Sequence, residues 1–176
     1  MTTDPRPDNS HYLHGTSTEE QSRLSKLNEM LNESPLREMN LRPGDRILDV
    51  GCGLGQLSRG MARLAGPRGY VLGLDRSGDQ ISQAQALAAA EKESNLVEFR
   101  QGNAYPLELR TNEWKTFDVV HTRFLLEHVR EPLEVVRQMA QALKPGGRMI
   151  LQDDSHDILR LHPQPPGFER SEEPHV

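Results

Sequence analysis

The chain of 176 residues has a single cysteine, Cys52, so it cannot close a disulfide within itself. It lacks an early apolar run long enough to be a signal peptide or a membrane span, and a cytoplasmic location is the expectation. Hydrophobic residues are 35% of the chain and aromatics 5%, a lean supply that still allows one core, because much of the polarity lies at the two ends. Basic blocks are missing too: 21 Lys and Arg stand against 26 Asp and Glu, and the net charge of -5 is spread along the sequence. A nucleic acid or an anionic membrane would call for a clustered positive face, so neither is expected as a partner. No metal site is expected either. His11 and His14 lie three apart, but no Cys, His or carboxylate stands at a supporting spacing.

What is present centres on Ile47-Leu48-Asp49-Val50-Gly51-Cys52-Gly53-Leu54-Gly55. The apolar run with β-branched Ile47 and Val50 reads as a short buried strand, stopped by three glycines. Leu57, Met61 and Leu64 then recur at helical spacing. A loop between a strand's carboxyl end and a helix's amino end is expected to turn free backbone N–H groups toward a ligand crevice. The dinucleotide fingerprint G-x-G-x-x-G fits Gly51 and Gly53 but meets Gln56 at its third glycine. Cys52 reads as a small turn residue, since no motif sets a base beside it.

The rest of the chain alternates strands and helices. Ser17 and Glu20 form a capping box for an N-terminal helix with Leu24, Leu27 and Leu31 on one stripe, expected to end near Asn32 to Pro35. Strands are expected at Arg46 to Val50, Tyr70 to Asp75, Leu96 to Gln101, Phe117 to Val120 and Met149 to Leu151. Between them lie a helix from Ser77 to about Glu93 with Ile81, Ala84 and Ala88 inward, and one from Glu131 to Leu143 with Leu133, Val136, Ala140 and Leu143 inward. Asp75 ends the second strand 24 residues past Gly51, where such a unit puts an acid that accepts from ribose hydroxyls. Helix capping is the competing role for it.

Asp49-x-Gly51-x-Gly53-x-Gly55 resembles motif I of the class I S-adenosylmethionine-dependent methyltransferases of small-molecule type. Tyr12-Leu13-His14-Gly15, the segment His121 to His128, and Leu143-Lys144-Pro145-Gly146-Gly147 before a strand resemble further family segments, in the right order. The resemblance implies a Rossmann-like, doubly wound α/β sheet of order 3-2-1-4-5, with S-adenosylmethionine in the crevice beside strand one. It implies cofactor contacts at Tyr12, Asp49, Gly51, Cys52, Gly53, Asp75, Arg76, Gln80, Asn103, Ala104, Thr122 and Arg123. At Asn103 the family commonly has an acid for the adenine amino group, and a carbonyl oxygen can accept in its place. His121, Glu127 and His128 are the candidate bases at the crevice mouth, with helix-surface or capping roles as the alternatives.

The domain is expected over 16–154, after a flexible segment over 1–15 and before a tail over 155–176 in which Pro163, Pro165 and Pro166 argue against strands. The family's strands six and seven are thus missing from this chain. Strand five is expected to be buried on both faces with one bare edge, and two copies are expected to associate through it or through the tail from Asp153 to Val176. Three functions compete: methyl transfer to a small molecule, a non-catalytic S-adenosylmethionine-binding module, and an NAD-type oxidoreductase, against which Gln56 argues.

Overall fold

The computed structural model describes Asn32 and residues 34–153. Tyr12, the segment 1–15, most of the N-terminal helix and the tail over 155–176 lie outside the described residues. The chain is helical at Asn32 and over 34–38, beyond the expected end at Pro35, and the Met39 N–H donates to the Pro35 carbonyl at 3.0 Å.

Five parallel strands follow: β1 Arg46–Val50, β2 Tyr70–Asp75, β3 Val97–Gln101, β4 Phe117–Arg123 and β5 Leu143–Gln152. Their order is β3-β2-β1-β4-β5, as the motif order implies. The connecting helices are α1 Gln56–Ala65, α2 Gly78–Ala90 and α3 Pro132–Ala142. Successive strand residues face opposite sides, and this sorts the core into two layers. Ile47, Val71, Val119 and Phe99 pack with Leu57 and Met61 of α1 and with Ile81, Ala84 and Ala88 of α2. Leu48, Val50, Leu72, Leu74 and Val120 pack on the other side with Val135, Met139 and Ala142 of α3. A sheet covered on both faces explains why the central strands read as unbroken apolar runs.

Five expectations need correction. The buried stripe of α3 is Val135, Met139 and Ala142, while Leu133 is 60% exposed. Leu64 of α1 is on the outer surface. β4 runs three residues further than Val120, to Arg123. β5 starts already at Leu143: Phe117 pairs with Leu143 and Val119 with Arg148, so Lys144 to Gly147 form a bulge in which Pro145 needs no ladder donor. Nor is β5 buried on both faces, since Met149 and Ile150 are half-buried and Leu151 is exposed.

The long stretch between β3 and β4 is tied down by charge. The Arg100 guanidinium bridges Glu113 at 2.7 Å and Glu98 at 2.8 Å. Hydrogen bonds from Arg100 hold the Glu113 carboxyl below the usual carboxylate range.

Candidate cofactor crevice

The carboxyl ends of β1 and β4 lie side by side, Val50 opposite Thr122, and the sheet's winding reverses between them. Such a reversal leaves a crevice that no crossover helix covers. One wall is the loop over residues 51–55. Gly53 has φ 55° and Gly55 φ 70°, backbone settings that glycine adopts without strain. A Cβ on Gly55 would stand 2.2 Å from the Phe99 ring, so that glycine serves close packing of loop on sheet. A Cβ on Gly53 would meet only Gln80 Oε1, at 3.6 Å, and would stand in open space otherwise.

Four of the loop's five amides are engaged within the protein rather than left free for the crevice as expected. Gly51 and Cys52 N–H both donate to the Leu74 carbonyl, at 2.8 and 2.9 Å, and Gly55 N–H donates to Cys52 O at 2.9 Å. Gly53 N–H donates to Asp75 Oδ2 at 3.0 Å. The loop folds back on the end of β2, where the Leu74 carbonyl and the Asp75 carboxylate take the Gly51, Cys52 and Gly53 donors. Asp75 Oδ1 also accepts from Ser77 N–H at 2.9 Å, and Ser77 Oγ caps α2 by accepting from Gln80 N–H at 3.3 Å. The helix-end role and the loop-facing role of Asp75 therefore coexist, and the cap itself belongs to Ser77. Each carboxylate oxygen keeps a further acceptor direction.

Beneath the loop runs a buried chain of polar groups. Ser58 Oγ donates to Asp49 Oδ2 at 2.5 Å, and His121 Nδ1–H donates to Asp49 Oδ1 at 2.8 Å. His121 Nε2 lies 3.3 Å from Gln152 Oε1. Asp49 is 3% exposed and His121 0%. The two residues thus lie under the crevice floor, where they tie α1, β1, β4 and β5 together. His121 is not at the mouth, because β4 extends past it and its side chain points between sheet and α1. Thr122 is likewise buried, its hydroxyl donating to the Val50 carbonyl at 2.7 Å.

The remaining predicted residues lie at several places on the carboxyl side of the sheet. Cys52 is partly buried, and burial, then the Asp49 and Asp75 carboxylates, push its thiol well up, so it stays protonated as a turn residue should. Arg123 is half-buried at the end of β4, where burial draws its guanidinium below the ordinary range and Asp49 opposes that. Arg76 and Asn103 line a cleft of about 290 Å³ with Gln101, Gly102 and Glu108, over the ends of β2 and β3. Ala104 follows at its edge, bridged to Leu107. Glu127 and His128 are exposed and face each other at 3.3 Å in the short turn Leu126–His128.

Glu108 was not foreseen. It accepts from Asn103 N–H at 3.3 Å and from Asn103 Nδ2 at 3.2 Å, which brings a carboxylate to the cleft that Asn103 itself does not supply. The segment holding it has no periodicity that could have pointed to it. Among the described residues no group of three His, Cys, Asp or Glu could hold a metal, and no helix is long and apolar enough to cross a membrane.

Comparisons with known proteins agree with this geometry. The chain is 33% identical over 139 residues to a demethylmenaquinone methyltransferase of Lactococcus lactis, covering 79% of this chain and 54% of that protein. It is similar to the crystal structure of an S-adenosylmethionine-dependent methyltransferase from Mesorhizobium loti, with a TM-score of 0.57, 28% identity, and coverage of 67% of this chain and 50% of that one. A methyltransferase structure from Aquifex aeolicus shares the fold with a TM-score of 0.62 at 24% identity, over 73% of this chain and 70% of that one. The chain spans about half the length of the curated relatives it matches. The family described as methyltransferase domain matches residues 41–172, and with the sheet order and the Asp75-anchored loop this makes the chain a member of that family.

Proposed function

We propose that the crevice binds S-adenosylmethionine and that the protein transfers its methyl group to a small-molecule acceptor. The observation that carries this reading is Asp75, a carboxylate at the end of β2 that is held by the glycine loop and directly precedes Arg76, which lines the cleft over β2 and β3. Asp75 would accept from ribose hydroxyls. Gly53 would leave room for the ligand, with Gln80 beside it, and Gly51 and Cys52 would line the site through their backbone. Arg76, Asn103 and Ala104 would line the nucleoside end, and Arg123 the other end. Thr122 and Asp49 have their side-chain oxygens committed, so they would act through the shape of the floor. Tyr12 remains a proposed contact from its motif.

When bound, the cofactor supplies an electrophilic methyl group on a sulfonium. The protein's part in an in-line displacement is to hold donor and acceptor in line and to keep water out. Where the acceptor must lose a proton, Glu127 and His128 are the exposed groups to receive it. His121 is engaged with Asp49 and serves position. The name of the Lactococcus relative makes a quinone-type acceptor the first to try. The cytoplasm is the proposed location, and pairing of two copies through the free edge of β5 the proposed assembly.

The test is calorimetry with S-adenosylhomocysteine and with NAD. Heat from the first alone is expected; heat from NAD alone would replace this reading by an oxidoreductase. Binding without methyl transfer by the full natural protein would favour a non-catalytic module, a reading kept because the chain covers 54% of the Lactococcus enzyme.

A further inference from the structure

Phe124 follows β4 with φ 53°, in the left-handed region that a bulky side chain resists. Among the described residues three other non-glycine residues share a positive φ: Asn40, Lys92 and Lys115. These are exposed polar residues, and Asn40 and Lys92 come just after helical stretches, where such a setting commonly ends a helix. Phe124 has no such explanation. Burial does not compensate it either, since it is 44% exposed.

Two contacts hold the strained backbone. Phe124 N–H donates to the Gln152 carbonyl at 2.9 Å, at the far end of β5. The next residue, Leu125, lies against the glycine loop, where a Cβ on Gly51 would come within 3.2 Å of it. The turn is therefore clamped between loop and β5, and the Phe124 ring is presented at the switch point with the Arg123 guanidinium 5.2 Å from its centroid. With the cation over one face of a ring that is 44% exposed, the other face suits a planar, electron-rich π-system that stacks on it. Strain kept at a site without gain in burial points to use.

We propose that Phe124 is an acceptor-contacting residue, the platform on which a planar, electron-rich methyl acceptor lies at the mouth of the crevice. This rests on the methyltransferase reading, and the experiment separates the two. Naphthohydroquinone is titrated into the protein saturated with S-adenosylhomocysteine while backbone amide resonances are followed by NMR. The signals of Phe124 and Leu125 are expected to shift. Phe124→Gly should weaken naphthohydroquinone about tenfold, the upper range for one aromatic pair, and Phe124→Tyr should retain it. Phe124→Gly should bind S-adenosylhomocysteine as the wild type does and unfold at no lower urea concentration, because the ring is not needed for the fold.

Naphthohydroquinone that leaves the Phe124 and Leu125 signals in place, or binds Phe124→Gly equally well, overturns the proposal. So does a clear drop of the urea midpoint in Phe124→Gly, which would make the ring structural. Failure of the wild type to bind S-adenosylhomocysteine at all would instead remove the methyltransferase reading.

Discussion

Asp75 serves two neighbours at once, the amide of Gly53 and that of Ser77, and through them it ties the glycine loop to the start of α2. Replacing it by alanine should weaken S-adenosylhomocysteine binding by about 1–3 kcal/mol, the cost of leaving buried hydroxyls without their acceptor. Calorimetry reads this directly, and unchanged affinity would take Asp75 out of the site. Gly55 is sensitive for another reason. Any Cβ there collides with the Phe99 ring and sits at φ 70°, so Gly55→Ala should destabilise the fold by roughly 2 kcal/mol or more. A urea midpoint equal to wild type would contradict the packing described. The positions of the glycine turn and of Asp75 were legible because three glycines in five positions mark a turn and Asp75 ends a strand 24 residues past Gly51. The roles of Asp49 and His121 were not: the pair meets across 72 residues, and nothing local in either segment marks it.

At the level of elements, legibility followed how unambiguous the periodicity was. In α2 the apolar positions Ile81, Ala84 and Ala88 form one stripe, and these are the residues the structure buries. In α3 Val135 and Val136 are adjacent, so two neighbouring stripes are equally apolar, and sequence spacing cannot choose between them. The sheet chose the one containing Met139, which fills the space against Phe117 and Val120 in the same layer. Met139→Ala should therefore cost about 2–5 kcal/mol. Leu133→Ala, at an exposed position, should stay within about 0.5 kcal/mol. Equal urea midpoints for the two variants would return the inward face to Leu133. The bulge in β5 was illegible for a similar reason, since Pro145 and Gly146 signal a turn but not that pairing resumes on both sides of it.

For the whole molecule, the sheet order was readable because the motif order left one winding. Association was the harder matter. Among the described residues β5 pairs only with β4, and Leu151 on it is 45% exposed. Light scattering is expected to give twice the monomer mass at high concentration, and Leu151→Lys to lower it, as a charge does on a pairing edge. A monomer mass at every concentration would end that proposal. The inward-turned loop has a consequence for redesign. Gln56→Gly would respell the stretch as the dinucleotide fingerprint, letter for letter. Yet the amides of Gly51, Cys52, Gly53 and Gly55 would still be spent on Leu74, Asp75 and Cys52. A pyrophosphate would find the right spelling and too few donors, and NAD should leave the calorimeter silent with this variant as with its parent.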